Sequence, residues 1–376
     1  MTLKIETAFD GRTATLRLIG HIESEYLDEI RAQVRRHRPR LVFDLDEVTL
    51  VDGAVVRFLL ACEAEGIELL YGSPYIREWM DRESQGSEAM TSTKTTATTI
   101  TEHEMEQVER ANATGLQPIV FVHGLWLLPS SWDRWAALFE GAGYTTLQPG
   151  WPDDPDTVEE ANAKPEVFAH KTVGQVADHF EAIIRGLNKK PAVIGHSFGG
   201  LLVQMLSGRG VASATVAIDP GPFRGVLPLP LTALKSAWPV LGNPANRNRA
   251  IPLTYEQFRF GFANAVSEEE ARELYKTFAV PASGVPLFQA ATANLNPWTE
   301  AKVDVENEGR GPVLIISGEK DNTVPWAIAN ASFKQQQKNR GVTEIVEMKN
   351  RGHALVIDSG WREVADTALA FIRRFV

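Results

Sequence analysis

The sequence holds a single cysteine, Cys62, so it cannot form an intrachain disulfide. Cys62 lies in the apolar run VVRFLLACEA, where packing explains its presence better than a reactive thiol does. The sequence also lacks a stretch of about 18 consecutive apolar residues, the length that a membrane-spanning helix requires. Its first ten residues, MTLKIETAFD, have neither the basic nor the apolar region of a secretory signal. We therefore expect a soluble, cytoplasmic protein without a membrane span.

No cluster of Lys and Arg residues gives the chain the electrostatic footprint of a nucleic-acid-binding protein. The chain has 38 Lys and Arg residues against 48 Asp and Glu residues, which gives a formal net charge of −10 at pH 7. Proteins that bind nucleic acids usually carry a basic patch, so we exclude nucleic acid as a partner. With 44% hydrophobic and 23% charged residues, the composition is that of a folded globular protein. A length of 376 residues suggests two or three domains at roughly 150 residues each.

A polar segment divides the chain. Residues 84–112, SQGSEAMTSTKTTATTITEHEMEQVERAN, are rich in Ser, Thr and Glu, and only the part EHEMEQVERA shows any periodicity. We interpret this segment as a linker between domains at residues 1–83 and 113–376. Met90 is followed by TSTKTTATT, which reads like the start of an independent protein. One hypothesis is that two once-separate reading frames are joined here.

The first domain alternates short strands with amphipathic helices. ATLRLIG and RLVFDLDEV have strand patterns, while SEYLDEIRAQVRRH spaces Leu27, Ile30 and Val34 at helical intervals. The helix pattern DGAVVRFLLACEAEG and the strand pattern IELLYGS follow. We therefore expect a small α/β domain.

The order of these elements, with DLDEVTLVDGAVVRFL at the centre, resembles the STAS domain of anti-sigma-factor antagonists and sulfate transporters over residues 1–83. The resemblance implies a regulatory or docking module with a protein partner, or self-association. In phospho-regulated members of that family, a serine follows the aspartate that ends the central strand. Here Asp52 is followed by Gly53 and Ala54, so the hydroxyl needed for that switch is missing. We interpret Asp52 as a helix N-cap.

The second domain contains six runs apolar enough for buried parallel strands: PIVFVHG, TTLQPG, PAVIGHS, ATVAIDP, VLIISGE and EIVEM. Helical patterns such as TVGQVADHFEAIIRGL separate these runs. Alternating strands and helices predict a doubly wound α/β domain, in which ligands bind at the carboxyl ends of the strands.

The segment VIGHSFGGLL contains the pattern G-x-S-x-G, formed by Gly195, Ser197 and Gly199. This pattern between a strand and a helix is typical of a sharp turn that exposes a nucleophilic serine, and the two glycines permit the close backbone approach that the turn needs. The pattern alone is weak, because Gly and Ser are common in any turn. Its position between PAVI and FGGLLVQML makes Ser197 a candidate nucleophile.

A serine hydroxyl needs an adjacent base, and histidine is the usual one. His353 in MKNRGHALVI lies between a predicted strand and the final helix, from where it can reach the carboxyl edge of the sheet. His196 adjoins Ser197, but we expect the turn to point its side chain elsewhere. We interpret the other histidines of this domain as structural, satisfied or solvated: His123, His170 and His179.

The base in turn needs an orienting carboxylate, which should lie between the serine and the histidine in chain order. Asp321 in VLIISGEKDNTVPW follows a predicted buried strand. Asp219 in VAIDPG follows the preceding strand and competes for the same role. We favour Asp321.

The motifs VFVHGLW, GHSFGG, SGEKDNTVP and RGHALV occur in the order of the α/β-hydrolase family, and residues 113–376 resemble that family. The resemblance implies a triad of Ser197, His353 and Asp321. It also implies an oxyanion hole formed by the backbone N–H groups of Leu125 and Phe198. We expect neither a cofactor nor a metal.

About ninety residues separate Asp219 from the next predicted strand, and such a long connection should carry its own helices. In the family, an insertion here is a cap over the active site, which would span approximately residues 221–305. Apolar side chains in and near it are candidates for a substrate pocket suited to a small, mostly apolar molecule. These candidates are Trp126, Phe223, Leu227, Leu229, Trp238 and Phe260.

We expect the reaction to be hydrolysis of a carboxylic ester. A serine at this position disfavours dehalogenase and epoxide-hydrolase chemistry, for which the family uses aspartate. The same triad could form a peracid, as in a perhydrolase, or hydrolyse an amide, a lactone or a carbon–carbon bond. The other alternative is a non-catalytic receptor or scaffold, with the first domain as the effector.

Overall fold

The computed structural model describes residues 3–9, 13–22, 26–27, 29–30, 33–34, 41–64, 67–70, 76–77, 80 and 100–376. The chain divides into two compact units, residues 1–97 and 98–376. Residues 84–99 of the predicted linker, including Met90, lie outside the described residues. Within the described parts of the chain, no helix is both long and apolar enough to cross a bilayer.

The first unit contains a five-stranded sheet and a described helix, α1 (Gly53–Ala64). Its strands are β1 (Lys4–Phe9), β2 (Ala14–Ile22), β3 (Leu41–Asp44), β4 (Val48–Val51) and β5 (Glu68–Leu70). The order is β1-β2-β3-β5, and β4 also pairs with β2. Strand β1 is antiparallel to β2, whereas the other pairs are parallel.

Two local features of this unit follow from its sequence. Alternate residues of β2 are buried, including Leu16 and Leu18, because successive side chains of a strand point to opposite faces. The Asp52 carboxylate accepts a hydrogen bond from Val55 N at 2.9 Å, so Asp52 caps α1 as predicted.

The second unit is built on six parallel strands and carries a separate two-stranded ribbon. The six strands are β6 (Pro118–Val122), β7 (Thr145–Leu147), β8 (Ala192–His196), β9 (Ala214–Ile218), β12 (Val313–Gly318) and β13 (Thr343–Met348), and the ribbon is β10 (Ala250–Ile251) with β11 (Ala282–Ser283). The parallel sheet confirms the α/β prediction, because each of the six apolar runs forms one strand.

Eleven α-helices accompany these strands in residues 100–376. They are α2 (Glu102–Thr114), α3 (Asp133–Gly141), α4 (Val158–Ala163), α5 (Val173–Arg185), α6 (Phe198–Gly208), α7 (Leu231–Leu241), α8 (Tyr255–Gly261), α9 (Glu268–Phe278), α10 (Val285–Thr292), α11 (Trp326–Gln336) and α12 (Trp361–Ile372). Short 3₁₀ turns lie at Pro129–Trp132, Pro165–Phe168, Pro244–Asn248 and Glu308–Arg310.

The order of the sheet explains where a site can form. The strands run β13-β12-β9-β8-β6-β7, so the chain leaves β6 toward β7 on one side and returns to β8 on the other. Ligands of doubly wound sheets bind at this reversal, beyond the carboxyl ends of the strands. The segments that follow β6 and β8 therefore flank the expected position of a ligand.

Helix α2 forms within the predicted linker. Thr101 and Glu104 make reciprocal bonds of a capping box that starts the helix, and Gly115 ends it in a left-handed conformation. Buried Glu104 contacts His179 Nε2 at 2.8 Å, which attaches α2 to α5. Residues 102–112 of the predicted linker thus belong to the second unit. The polar composition of this segment suggested a linker, but two of the buried residues of α2 are the polar residues Glu104 and Gln107.

The core next to the sheet is rich in aromatic side chains. Phe121 of β6 stacks on Trp132 with ring centroids 5.1 Å apart, and Trp132 meets Trp135 edge to face at 5.1 Å. All three are fully buried, and burying one such side chain contributes about 2–3 kcal/mol. Trp135 Nε1 donates to Val356 O at 2.9 Å, which ties this core to the loop after His353.

The connection between β9 and β12 carries helices α7 to α10 and the ribbon β10–β11. Its helices begin at recognisable caps, as when Thr254 accepts a bond from Gln257 N at the start of α8. This connection is referred to below as the insertion, residues 221–305.

Candidate active site

The turn that carries Ser197 is sharply bent. Ser197 has φ 57° and ψ −119°, a conformation that residues with a Cβ seldom adopt. A Cβ at Gly195 would lie 2.2 Å from Gly199 O, and a Cβ at Gly199 would lie 2.0 Å from Val122 O. Glycine at both positions therefore lets β8, α6 and β6 approach closely enough to hold the serine in this strained geometry.

Three buried side chains form a continuous chain of hydrogen bonds. Ser197 Oγ lies 2.9 Å from His353 Nε2, and His353 Nδ1 lies 2.6 Å from Asp321 Oδ2. The serine is 5% exposed, the histidine 0% and the aspartate 4%. In this network Nδ1–H donates to the carboxylate, which leaves Nε2 free to accept the serine proton.

Asp321 is held by donors on both of its oxygens. Its Oδ1 accepts from Thr323 N at 2.6 Å and from Val324 N at 2.9 Å, while Oδ2 faces His353. These three donors hold both carboxyl oxygens of Asp321 in place. The loop after β12 thus presents a fixed carboxylate to the imidazole.

Asp219, the competing candidate, is also next to this chain. Its Oδ2 lies 4.0 Å from His353 Nδ1, too far for a hydrogen bond, while its Oδ1 accepts from Gly318 N at 2.7 Å. Burial and the charge of Asp321 raise the pKa of Asp219 well above its ordinary value. The geometry therefore gives the bonded position to Asp321 and places Asp219 beside it.

His196 has a role that the sequence analysis missed. Its Nε2 lies 2.8 Å from the backbone oxygen of His353, and the two imidazole centroids are 4.6 Å apart. The expectation that this side chain points away from the site is therefore wrong. The signal was its position as the last residue of β8, immediately before Ser197, but sequence does not show which way a strand-end side chain turns.

The loop after β6 packs directly on the serine turn. A Cβ at Gly124 would lie 2.8 Å from Ser197 Cβ and 3.4 Å from Phe198 N. Phe198 is the first residue of α6, where backbone N–H groups have no acceptor within the helix. Leu125 follows Gly124, so the two backbone segments named for the oxyanion hole are adjacent.

The insertion contacts this region through Trp126 and Phe262. Trp126 Nε1 donates to Ile251 O at 2.9 Å, and Trp126 O accepts from Val280 N at 3.2 Å. The Phe262 ring lies edge-on to Trp126 at 6.1 Å and to the His353 imidazole at 4.8 Å. Phe262 is thus an apolar neighbour of the histidine that the sequence analysis did not name.

The side chains named for the pocket are in different surroundings. Trp126 and Phe223 are buried, whereas Leu227 is 75% exposed and Trp238 67% exposed. Leu229 is likewise at the surface, and the Phe260 ring carries Lys235 Nζ at 4.1 Å beside an open groove. These exposed residues do not enclose a pocket. An apolar sequence such as VLPLPL does not show which of its side chains the fold covers, so the sequence alone could not separate surface residues from pocket residues.

The remaining histidines of this unit are structural or exposed. His123 is buried, with Nε2 at 2.9 Å from Asp154 Oδ2 and Nδ1 at 2.9 Å from Gly124 O. His179 is buried against Glu104, and His170 is exposed. These placements agree with the sequence interpretation.

Ligand atoms of His196, Asp219 and His353 lie within 4.8 Å of one another, close enough to be considered as metal ligands. Both ring nitrogens of His353 are already bonded, to Ser197 and Asp321, and His196 Nε2 is bonded to the His353 backbone. Metal binding would have to break the serine–histidine chain. These donors therefore fit proton transfer better than metal coordination.

Comparison with known proteins places the second unit in a family. Residues 119–367 match the model of the alpha/beta hydrolase family. No curated protein matches the sequence closely enough to count as a relative.

Three solved structures are similar to this chain. An extracellular alpha/beta-hydrolase from a Paenibacillus species is 20% identical, covers 68% of this chain and 98% of its own, and gives a TM-score of 0.50. A monoacylglycerol lipase of Paleococcus ferrophilus is 18% identical, with coverages of 69% and 95% and a TM-score of 0.48. A polyneuridine aldehyde esterase is 18% identical, with coverages of 68% and 99% and a TM-score of 0.49. At such identity, the likeness to the first of these concerns the fold alone.

Proposed function

Because this chain belongs to the alpha/beta hydrolase family, we propose that it is a serine hydrolase that cleaves a carboxylic ester of a small, largely apolar substrate. The observation that carries the proposal is the hydrogen-bonded chain from Ser197 Oγ through His353 to Asp321. An activated nucleophile requires this arrangement of hydroxyl, base and orienting carboxylate.

In the proposed reaction, Ser197 Oγ attacks the ester carbonyl while its proton passes to His353 Nε2. The resulting imidazolium is stabilised by Asp321 and gives the proton to the departing alkoxide, which leaves an acyl-enzyme. Water then attacks the acyl-enzyme, with His353 again taking and returning a proton, and the carboxylic acid is released.

The backbone N–H groups of Leu125 and Phe198 are the proposed oxyanion hole. The contact between Gly124 and the serine turn supports this assignment, since it brings both segments to the carbon that Ser197 would attack. Each such donor stabilises the tetrahedral intermediate by about 3 kcal/mol.

We propose that the insertion is a cap and that Phe262 and Trp126 contribute apolar surface next to the reacting bond. Phe262 contacts the His353 ring, and Ser197 is only 5% exposed, so a bound substrate would be shielded from water. An apolar acyl or alcohol group suits such surroundings better than a charged one does.

For the first unit, we propose a STAS-like module at residues 1–83 that binds a protein partner or a second copy of the chain. The mixed sheet of β1 to β5 and the capped helix α1 are compatible with such a module. Comparing the oligomeric state of the full chain with that of residues 98–376 tests this part. An identical state for both would argue against self-association.

The test of the enzymatic proposal is hydrolysis of short-chain p-nitrophenyl esters by the wild type and by Ser197→Ala. We expect the substitution to lower kcat by on the order of 10⁴-fold or more, because the nucleophile is lost. A fluorophosphonate should label the wild type and not the variant. A panel of ester, lactone and amide substrates then identifies the bond.

Ser213→Ala is the matched control. Ser213 immediately precedes β9, at the end of the sheet opposite Ser197, and its hydroxyl has no hydrogen-bond partner in the described part of the chain. This variant should keep the wild-type activity and labelling. Equal esterase activity in the wild type and Ser197→Ala would contradict the proposal.

A further inference from the structure

Asp219 and Asp321 are two buried carboxyl groups at the ends of neighbouring strands. Strands β9 and β12 pair in parallel, with Ile218 opposite Ile316, and each aspartate follows one of them. Both side chains are inaccessible to solvent. Both carboxyl groups face the same atom, His353 Nδ1, with Asp321 Oδ2 at 2.6 Å and Asp219 Oδ2 at 4.0 Å. Two carboxylates around one buried atom would repel each other strongly if both were ionised.

The donors around the pair are divided unequally. Asp321 receives three, from Thr323 N, Val324 N and His353 Nδ1, whereas Asp219 receives one, from Gly318 N. Among the residues that the structure describes, none donates to Asp219 Oδ2. Within the described residues, neither carboxyl group forms an ion pair with a lysine or an arginine. A buried carboxyl oxygen without a donor next to a carboxylate is satisfied when it carries a proton itself, since it can then donate.

The backbone of Asp219 is also unusual. Its φ is 40°, in the left-handed region, and its N–H donates to Ile316 O at 2.7 Å. This conformation is costly for a residue with a side chain, and the sheet bond that fixes it directs the carboxyl group at the end of β12. The other titratable groups that face it are His353 and His196.

We propose that Asp219 is a positioning residue that stays protonated and donates its Oδ2–H to the Asp321 carboxylate, so that two carboxyl groups sharing one proton orient His353. The inference rests on the proposed function for its effect on catalysis. Asp219 touches neither Ser197 nor the substrate in this arrangement. It fixes the carboxylate that fixes the imidazole, and it withdraws part of the negative charge from Asp321.

Asp219→Asn tests the donor. Asparagine has the same shape, its amide N–H₂ can donate to Asp321, and its oxygen can accept from Gly318 N. We expect kcat within about threefold of the wild type. Asp219→Ala removes the donor, and losing a hydrogen bond to a charged group should lower kcat about 10- to 100-fold with little change in KM. If Asp219 instead acted as an ionised partner of His353, the asparagine variant would lose as much as the alanine variant.

The pH profile separates positioning from a general loss of structure. Without the Asp219 donor, Asp321 carries more negative charge and favours the imidazolium, so in Asp219→Ala the rise of kcat/KM with pH should move to higher pH. Asp219→Asn should keep the wild-type profile. Val216→Ala, a buried cavity variant on the same strand, is the control, since it should lower stability and leave the profile in place.

Infrared difference spectroscopy tests the proton without relying on activity. In the Ser197→Ala background, we expect the C=O band of a protonated carboxylic acid at neutral pH, and we expect Asp219→Asn to remove it. That result would stand even if the esterase proposal failed. An unchanged spectrum, or an asparagine variant as impaired as the alanine variant, overturns the proposal.

Discussion

His196 shows how one buried side chain can support another without taking part in the reaction. Its Nε2–H donates to His353 O, and its Nδ1 has no partner within the described residues. Burial, together with the charge that His353 can carry, lowers the pKa of His196 well below 6.5, and its bond to the His353 backbone only partly opposes this. His196 therefore stays neutral in the folded protein and braces the backbone that presents the base.

This neutral histidine makes stability depend on pH. Below the ordinary value of 6.5 the unfolded chain protonates His196 and the folded chain does not, so the free energy of unfolding falls as the pH is lowered. His196 alone should contribute about 1.4 kcal/mol per pH unit below about pH 6. In His196→Gln, which keeps a side-chain N–H donor but does not titrate, the slope should be smaller by that amount.

Urea unfolding at a series of pH values between about 4.5 and 8, roughly the range over which histidine titrates, measures the slopes. His170→Gln serves as the control, because His170 is exposed and its replacement should leave the slope unchanged. Parallel curves for the wild type and His196→Gln would contradict the account of His196.

Three residues of the candidate site lie where the sequence predicts the ends of strands. Ser197, Asp321 and His353 each lie at or after a predicted apolar run, and parallel strands bring their carboxyl ends together. His196 and Phe262 could not be assigned in this way. Their contacts with His353 depend on side-chain direction and on the path of the insertion, and neither has a periodic signal.

At the scale of the elements, apolar runs predict the six strands of the large sheet, but hydrophobic periodicity does not predict elements made mostly of polar residues. Strand β1 is largely exposed, with the sequence KIETAF, so it lacks the alternation of a half-buried strand. Helix α2 buries polar residues that find partners only in the folded unit. Such elements are held in place by hydrogen bonds to other parts of the unit, and these bonds leave no hydrophobic periodicity in the sequence.

Arg310 joins two elements from inside the protein. Its guanidinium donates to Gln336 O at the end of α11 and, at the start of β13, to Val342 O and Thr343 Oγ1. The side chain is fully buried, and burial lowers its pKa to about 10. In the described chain it bonds neutral oxygens and no carboxylate.

Arg310→Met should therefore destabilise the protein without changing its chemistry. Several buried oxygens would lose their donors, which should lower the free energy of unfolding by about 3 kcal/mol or more while kcat stays near the wild-type value. Urea unfolding measures the first quantity and ester hydrolysis the second. Arg340→Met, at an exposed position nearby, should change stability by no more than about 0.5 kcal/mol. Equal midpoints for the two variants would show that Arg310 does not hold these elements together.

At the scale of the whole molecule, the boundary of the second unit matters for any attempt to study it alone. The two compact units of the chain meet between residues 97 and 98, whereas the sequence predicted that the second domain starts at residue 113. The difference is α2, whose side chains reach across the unit. Gln107 Oε1 accepts from Gln148 N at 2.8 Å, and Asn112 bonds both Gly186 O and Asn188 N.

We expect a chain of residues 98–376 to unfold with the same free energy as the second unit of the full chain. A chain of residues 113–376 should have a much lower free energy of unfolding. Removing α2 leaves His179 without its carboxylate and removes three further hydrogen bonds, which should cost about 3 kcal/mol or more. Thermal and urea unfolding of the two chains measure this difference, and kcat/KM for the same ester shows whether the site survives. Identical unfolding of both chains would mean that α2 is not part of the fold. If residues 98–376 fold but differ from the full chain in kcat/KM, the first unit regulates the second, because the site residues themselves are unchanged.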